Sequence, residues 1–184
     1  MYKTIHDVTI INLKKNYTLI HYFGLGFIQI KLGKECRLHI YTDSLPAITN
    51  EEDIHNHRYN FTSTILHGEL RQELFSIIQG DSHLLQDESC QEGYVPNTVN
   101  SRLCSIQKTG EQVFIQGNSY SIDHNTFHRV HTRNAVTFLT RSDYKKELAQ
   151  VVHRRDAQKV CPFSKKVKEE ELWSIVEMIL QQIV

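Results

Sequence analysis

Three histidines have the type and spacing of a metal-binding site. His55 and His57 are two residues apart, and His128 lies about seventy residues further along the chain. Side chains two positions apart in a β-strand point to the same face, so His55 and His57 can present two imidazoles to one ion, and a neighbouring strand can bring in His128. The pattern predicts a divalent metal centre with these three residues as ligands.

Other histidines are expected to lie outside this centre. The chain has 11 histidines, which makes a single H-x-H pair weak evidence, because such a pair on a strand is usually surface decoration. His131 has the opposite strand parity to His128, and His124 falls in the turn before it, so both are expected to be bystanders. His67 has inward parity but lies at the far end of its strand, which leaves it only an indirect role.

The strands that position these residues are expected to be short and antiparallel. Alternating residues rich in β-formers predict the strands Phe27–Leu32, Cys36–Tyr41, Ile54–Leu66, Leu70–Ile78, Ser101–Ile106, Gln112–Ile115, Ser119–Ile122 and His128–Thr140. The two strands that flank Gly68 are expected to form a hairpin, and residues 79–100 a long polar connection with room for one short strand. This spacing is typical of an all-β sandwich or barrel.

Helical periodicity occurs only near the C-terminal end. Tyr144–Arg155 has a short helical pattern, and Val167–Val184 is amphipathic behind an acidic first turn. The second helix is expected to pack on the outside of the barrel, with an oligomer contact as the alternative. The chain is therefore expected to consist of a β-barrel over residues 1–142 and a helical extension over residues 143–184, within a single domain.

Composition is typical of a soluble globular protein. The 184 residues suit one domain, and 40% of them are apolar and 23% charged. The 21 basic and 21 acidic side chains cancel, and no basic stripe interleaved with aromatic residues indicates a nucleic-acid surface.

The N-terminus lacks a signal-peptide pattern, and no stretch reaches the roughly 18 apolar residues of a membrane helix, so a cytoplasmic protein is expected. The four cysteines are widely spaced without a C-x-x-C pair, which predicts free thiols; they are Cys36, Cys90, Cys104 and Cys161.

The two histidine segments resemble the two motifs of the cupin superfamily. The first cupin motif, G-x5-H-x-H-x3-4-E-x6-G, matches at His55, His57 and Gly68. The second, G-x5-P-x-G-x2-H-x3-N, matches at Gly117 and His128. The resemblance covers roughly the region from the first predicted strand to the last.

The chain departs from the cupin pattern in four places. The leading glycine of the first motif is absent, Asp123 and Asn125 replace the Pro and Gly of the second, and Thr132 stands where Asn is common. Asp and Asn are themselves turn residues, so those two changes are mild. The fourth departure matters more, because Phe61 occupies the position of the glutamate ligand.

The resemblance implies a cupin-type antiparallel β-barrel, also called a double-stranded β-helix or jelly roll. It also implies a centre like that of the three-histidine cupins, which include thiol dioxygenases of the cysteine dioxygenase type and a diketone-cleaving dioxygenase. Residues 56–68 are similar to a little-characterised group of bacterial cupin-like proteins, for which a fold but no reaction is implied. Fe(II) is the expected ion, with Zn, Ni or Mn as alternatives, since neutral nitrogen ligands suit several metals.

Strand parity extends the predicted site beyond the ligands. On the strand of the H-x-H motif, Tyr59, Phe61 and Ser63 have inward parity, and Thr132 has the parity of the third histidine. These residues are expected to line a substrate pocket in which Phe61 forms an apolar wall. Plain core packing is the alternative role for Tyr59.

The strand before the H-x-H motif has one polar face. Arg37, His39 and Tyr41 share this face, which either lines a wet cavity or faces solvent. In a cavity, Arg37 would hold a substrate carboxylate, and His39 and Tyr41 would be catalytic proton donors. Arg71 is a further candidate for substrate binding.

Together these residues predict an Fe(II)-dependent, dioxygenase-type oxidoreductase that acts on a small molecule. Two alternatives stay open. One is a non-catalytic metal- or small-ligand-binding module that acts as a sensor or accessory protein, including as a homodimer. The other is a metal-dependent isomerase or hydrolase, which needs a general base that no motif places.

Overall fold

Strands dominate the protein. The computed structural model describes residues 2–45, 47, 54–89, 97–157 and 165–183. Its strands are β1 (Leu19–Phe23), β2 (Phe27–Leu32), β3 (Cys36–Tyr41), β4 (Ile54–His55), β5 (Tyr59–His67), β6 (Glu69–Ser89), β7 (Asn97–Ile115), β8 (Ser119–Ile122), β9 (Phe127–His131), β10 (Val136–Tyr144) and β11 (Ala149–Arg154). The helices are α1 (Ile10–Asn16) and α2 (Glu169–Ile183), and a 3-10 turn, Ile5–Asp7, precedes α1.

The strands form two antiparallel sheets that pack as a sandwich. The first sheet has the order β1-β2-β3-β10-β5-β8, and the second has the order β11-β4-β9-β6-β7. This arrangement confirms the all-β prediction. Within the described residues the sheets do not close into the predicted barrel, because β1 and β8 remain the two edges of the first sheet.

The hairpin of β2 and β3 matches its prediction. The two strands pair antiparallel, with Phe27 opposite Tyr41 and Leu32 opposite Cys36. Gly33 turns the chain between them with a φ of 81°, a conformation that glycine adopts without strain.

The predicted hairpin around Gly68 is wrong. β5 pairs with β10 and β8 in the first sheet, whereas β6 pairs with β7 and β9 in the second. Gly68 is instead a corner at which the chain passes between the sheets, with a φ of 79°. A Cβ atom at this position would lie 2.1 Å from the carbonyl oxygen of Asn134. Asn134 belongs to a second corner, which splits the predicted strand His128–Thr140 into β9 and β10.

Residues 79–89 and 97–100, predicted as a polar connection, belong to strands. β6 and β7 continue through this region as the two arms of a long ribbon, in which His83 is opposite Cys104. Residues 83–88 of β6 pair with β7 along one edge and with β11 along the other, and Leu85 and Glu88 are buried there. These partner strands are distant in sequence, and the mostly polar residues of this region lack the apolar alternation that marks a half-buried strand. Residues 90–96, which include Cys90, lie outside the described residues.

The short helix predicted over Tyr144–Arg155 is also wrong. β10 runs to Tyr144, and β11 pairs along one edge with β4 and along the other with the distal part of β6. Ladder hydrogen bonds on both edges outweigh a weak local helical tendency, which is a tertiary effect.

Helix α2 confirms the C-terminal helix prediction. It covers the outer face of the first sheet, where Leu38 and Ile40 of β3 lie in the same apolar cluster. Its buried side chains are Leu172, Trp173, Val176 and Leu180. Neither this helix nor any other in the described part of the chain has the length and apolarity needed to span a membrane.

The space between the sheets holds the inward residues of β5. Tyr59, Phe61, Ser63 and Ile65 are each buried to 8% exposure or less, whereas Thr62 between them is exposed. The burial pattern confirms the predicted parity of this strand.

Candidate metal centre

Strands β4 and β9 bring two of the three histidines face to face. β4 is two residues long and pairs antiparallel with β9, with His55 directly opposite His128. Along its other edge β4 pairs with β11, where Val151 is opposite His55. Pairing on both edges fixes the backbone of His55.

Asn56 interrupts the strand between the two histidines of the H-x-H motif. The predicted strand Ile54–Leu66 is split into β4 and β5, which are separated by residues 56–58. The Asn56 side chain is buried; its Nδ2 donates to Oε1 of Gln150 at 3.0 Å, and its Oδ1 accepts from the Gln150 backbone N–H at 2.8 Å. His57 is therefore positioned by a clamped turn and not by strand parity. The sequence carried no signal for Gln150, because this contact spans 94 residues.

The three imidazoles converge as predicted. One ring nitrogen from each of His55, His57 and His128 lies within 4.8 Å of the other two. The ring centroids are 4.9, 5.0 and 5.1 Å apart, and Nε2 of His57 is 2.8 Å from Nε2 of His128. These three residues form a group that could hold one metal ion.

Burial favours the neutral form of two of these imidazoles, those of His57 and His128. It lowers the pKa of His57 well below the ordinary value, and the neighbouring His55 and His128 lower it further. Burial and His55 lower the pKa of His128 in the same way. A neutral imidazole retains the lone pair that a metal ion binds. The buried Nδ1 of His128 has no hydrogen-bond partner among the described residues, so no outer contact fixes its tautomer.

Aromatic rings flank the cluster where the cupin resemblance places a glutamate. Phe61 is buried, and its ring centroid lies 4.8 Å from that of His57 and 6.1 Å from that of His128. The ring of Tyr59 lies 5.6 Å from His57. Within the described residues no Asp, Glu or Cys joins the three histidines. The group that could hold a metal ion therefore offers three imidazole nitrogens beside two aromatic rings.

The polar face of β3 points into the sandwich. Leu38 and Ile40, which have the alternate parity, are fully buried in the apolar cluster that also contains the buried face of α2, so Arg37, His39 and Tyr41 point between the sheets. Of the two orientations that the sequence left open, the structure shows the interior one. All three side chains remain partly accessible to solvent.

His39 and Tyr41 are held by contacts with β2. Nε2 of His39 lies 3.0 Å from Nε2 of Gln29, and the Phe27 ring lies 4.7 Å from His39 and 5.0 Å from Tyr41. Burial lowers the pKa of His39 well below its ordinary value. Burial, followed by the nearby Tyr120, raises the pKa of Tyr41 well above its ordinary value. At neutral pH His39 is therefore an uncharged imidazole and Tyr41 an un-ionised phenol.

Tyr120 is an interior hydroxyl that the sequence analysis missed. It is opposite Ser63 in the pairing of β5 with β8, and its ring lies 6.1 Å from Phe61 and 4.5 Å from Phe114. Burial raises the pKa of Tyr120 to about 12, although a hydrogen bond with Ser63 acts in the opposite direction. The parity of Tyr120 with the buried Ile122 would have identified it.

Two predicted substrate-binding residues lie away from the histidine cluster. Arg71 is on the outer face of the second sheet, where its Nη1 lies 3.6 Å from Oε1 of Glu111 and its side chain is 46% exposed. Arg71 therefore points away from the histidine cluster, and its substrate-binding role stays a prediction. The hydroxyl of Thr132 donates to the carbonyl oxygen of Glu69 at 2.6 Å, which ties the end of β9 to the start of β6. It makes no contact with the cluster among the described residues.

The remaining candidate histidines lie outside the cluster, as predicted. Nε2 of His131 contacts Oε2 of Glu73 at 2.7 Å, and Nδ1 of His124 contacts Oδ1 of Asn60 at 2.9 Å. His67 lies at the end of β5, opposite Val136.

Comparison with known proteins adds no family assignment. No protein-family model matches the chain, and no curated protein matches it. The function must therefore be argued from the geometry of the site.

Proposed function

We propose that His55, His57 and His128 bind one divalent metal ion and that the protein is a metal-dependent oxidoreductase of the dioxygenase type with a small-molecule substrate. The main support is the convergence of three imidazole nitrogens within 4.8 Å, with no carboxylate in the group among the described residues. Such a set leaves the double charge of the ion unneutralised and several coordination positions open. Fe(II) is the proposed ion, because it combines Lewis acidity with redox chemistry.

A cupin relationship is part of this proposal. Two antiparallel sheets that face each other, with the H-x-H segment and the third histidine on different strands, are consistent with the cupin plan. Phe61 occupies the position of the cupin glutamate, so within the superfamily this chain is most similar to the cupins with three histidine ligands. The residues of this chain that differ from the cupin pattern do not displace any of the three ligands.

The side chains around the cluster have separate proposed roles. Phe61 and Tyr59 exclude water from one side of the ion, which limits unproductive reactions there. The guanidinium of Arg37 binds the anionic group of the substrate. His39 and Tyr41 lie on the same face of β3, and Tyr41 retains its proton at neutral pH, so its hydroxyl is a hydrogen-bond donor towards bound substrate.

The test is metal analysis combined with oxygen consumption. Wild-type protein purified without added metal is expected to contain close to one equivalent of a divalent ion, or to take up one equivalent of Fe(II) under anaerobic conditions. The His57→Ala variant is expected to lose this ion, whereas His124→Ala, a histidine outside the cluster, is expected to keep it. Folding of all three proteins is checked by circular dichroism.

Oxygen uptake then separates catalysis from simple binding. Iron-loaded wild-type protein is expected to consume dioxygen with at least one member of a panel of thiols, diketones and catechols. Metal retention without oxygen uptake across the panel would leave a metal-binding sensor or accessory module. Equal metal content in wild type and His57→Ala would reject the metal centre itself.

A further inference from the structure

Five side chains beside the metal centre form an alternating stack of arginines and tyrosines. In order they are Arg58, Tyr144, Arg141, Tyr59 and Arg37, and together we call them the arginine–tyrosine ladder. Cζ of Arg58 lies 4.5 Å from the Tyr144 ring centroid, and Cζ of Arg141 lies 4.5 Å from Tyr144 and 5.4 Å from Tyr59. Cζ of Arg37 lies 5.2 Å from Tyr59. Each distance is within the range of a cation–π contact.

The ladder is built by strand pairing. Tyr59 and Tyr144 are cross-strand partners of β5 and β10, and Arg141 is opposite Phe61 in the same pairing. β3 lies on the other side of β10, where Arg37 is opposite Leu139. The strand order β3-β10-β5 therefore brings together side chains from three separate parts of the sequence. Only Arg37 and Tyr59 were candidates on sequence grounds.

The ladder leads from the surface to the histidine cluster. Tyr144 at its outer part is 53% exposed, and Tyr59 at its inner part is 8% exposed. The Tyr59 ring lies 5.6 Å from the imidazole of His57. A ligand that contacts Tyr59 and the two arginines on its ring would therefore reach the proposed metal position.

The three guanidinium charges of the ladder have no carboxylate partner among the described residues. Arg37 donates no hydrogen bond to any described residue. The side chain of Arg141 donates one, from Nη1 to the carbonyl oxygen of Ser142 at 2.9 Å, and its buried Nε has no acceptor within the described part of the chain. Arg58 makes a long contact of 3.4 Å from Nη2 to the hydroxyl of Tyr144.

In a second cluster of basic residues in this protein, a carboxylate compensates the positive charges. On the second sheet, Glu73 accepts hydrogen bonds from Arg129 at 2.7 Å and from Lys108 at 2.7 Å. Positive charges that are partly withdrawn from water are normally compensated in this way, because desolvation of an unpaired charge is costly. Tyrosine π-faces compensate the arginines of the ladder only in part, since they leave the guanidinium N–H edges without acceptors.

We infer that the inner part of the ladder, Arg37 and Arg141 on the ring of Tyr59, is a binding site for an oxyanion group of a small substrate that carries at least two negative charges. A phosphate or a pair of carboxylates has this chemistry, and the fork of N–H donors on a guanidinium matches either group. The inference rests on the proposed function for the identity of this anion as a substrate. Binding of the anion by the ladder does not require the metal.

The experiment is isothermal titration calorimetry of the full chain with orthophosphate, malonate and acetate at constant ionic strength. Protein treated with a chelator is titrated first, so that direct metal–anion bonds are excluded, and zinc-loaded protein second. The variants are Arg37→Gln and Arg141→Gln. The matched control is Arg71→Gln, which removes an arginine from the outer face of the second sheet. Thermal melting monitors folding, and Arg37→Lys and Arg141→Lys replace any glutamine variant that fails to fold.

Orthophosphate or malonate is expected to bind wild-type protein more tightly than acetate, and the tighter of the two identifies the source of the anion. Each ladder variant is expected to weaken this binding by about tenfold or more, a difference of about 1.4 kcal/mol, and the control by less than about twofold. Failure of both dianions to bind wild type, or an equal loss in all three variants, would overturn the inference.

Metal content makes the two failures distinguishable. The ladder variants are expected to bind zinc as wild type does, because no ligand is altered. Dianion binding by a protein that takes up no metal would reject the proposed function and leave the anion site intact. Metal uptake without dianion binding would reject the anion site alone.

Discussion

His55 of β4 and His128 of β9 are direct cross-strand partners, and their ring centroids lie 5.0 Å apart. Directly opposed residues of an antiparallel pair share a face of the sheet, so backbone pairing places these two imidazoles side by side without help from an ion. His57 is positioned independently, by the turn that Asn56 and Gln150 clamp. The proposed ligands are therefore positioned by two separate features, the β4–β9 pairing and the Asn56–Gln150 contact. A mutation can disrupt one of these features without the other.

The Asn56→Ala variant is expected to weaken zinc binding by about 10–100-fold while leaving all three ligands in place, which is the usual effect of losing a residue that orients a metal ligand. The physical reason is release of the turn that holds His57. Competitive titration with a chromophoric chelator measures the affinity. The control is Asn60→Ala, because Asn60 is clamped to His124 outside the cluster. Equal affinities in the two variants would contradict the positioning role of Asn56.

The Phe61→Glu variant is expected to add a carboxylate ligand to the centre. Phe61 is 5% exposed and lies 4.8 Å from His57, so an unpaired glutamate there is costly in metal-free protein. Metal binding should offset that cost, so zinc is expected to raise the melting temperature of Phe61→Glu by more than that of wild type. The absorption spectrum of the cobalt-substituted variant should also change. Phe61→Gln, which has a similar size but no charge, controls for packing, and identical zinc-induced shifts in the two variants would exclude the added ligand.

Glu73 is expected to stabilise the fold at neutral pH. Burial alone would raise its pKa, but hydrogen bonds from Lys108, His131 and Arg129 outweigh burial and hold the pKa well below its usual range. Because the folded-state pKa lies below the unfolded value of about 4.3, this stabilisation is complete above that value and is lost as the pH falls through the folded-state pKa.

The Glu73→Gln variant is therefore expected to lose about 1–3 kcal/mol of unfolding free energy at pH 7, the typical worth of hydrogen bonds to a buried charge. Urea denaturation at pH 7, 5 and 3 measures the difference, which should shrink at the lowest pH. Glu111→Gln removes a more exposed partner of Lys108 and should change stability less. A difference that stays constant with pH would show that Glu73 acts through packing and not through charge.

Two buried glutamines are expected to respond differently to substitution, since only one of them is expected to lose stability. Gln72 is 0% exposed, and neither polar atom of its side chain has a hydrogen-bond partner within the described residues. Gln29 is 6% exposed, and its Nε2 lies 3.0 Å from His39. An unmade hydrogen bond in the interior costs free energy, whereas a formed one contributes about 0.5–1.5 kcal/mol.

Replacement of each glutamine by methionine preserves its approximate volume and removes the amide. The Gln72→Met variant is expected to be as stable as wild type or more stable, and Gln29→Met is expected to lose about 1 kcal/mol. Urea denaturation at pH 7 measures both. A larger loss for Gln72→Met than for Gln29→Met would show that the Gln72 amide has a structural partner, such as ordered water.

Local periodicity explains which elements were predictable. The inward residues of β5 follow the two-residue repeat of a strand, and α2 follows the 3.6-residue repeat of a helix. Both repeats are properties of adjacent residues and need no knowledge of distant partners. The distal parts of β6 and β7 lacked such a repeat because their residues are mostly polar; they are strands through their pairing with each other and through the pairing of β6 with β11. β11 was misassigned because the pairing that makes it a strand involves β4 and β6, which are far away in sequence.

The same distinction applies to the candidate site. The spacing within two separate motifs, together with the resemblance of both motifs to the cupin pattern, identified His55, His57 and His128, because each motif is short and local. The ladder arginines Arg58 and Arg141 could not be selected, since nothing near either residue in sequence predicts a tyrosine ring from another strand. The orientation of Arg71 could not be predicted either, because which side of β6 faces the interior depends on its pairing with β9.

The sequence by itself therefore determined the three candidate histidines, the inward parity of β5 and the amphipathic helix, because the pattern that carries each of them lies within a few neighbouring positions. Only the tertiary structure decided that Gly68 is a corner between sheets, that the polar face of β3 points into the sandwich, and that Arg37 and Arg141 share the ring of Tyr59. These features arise from the order in which distant strands pair. Strand order is fixed by the burial of whole sheet faces, a free energy that belongs to the assembled sandwich and to no single segment of it.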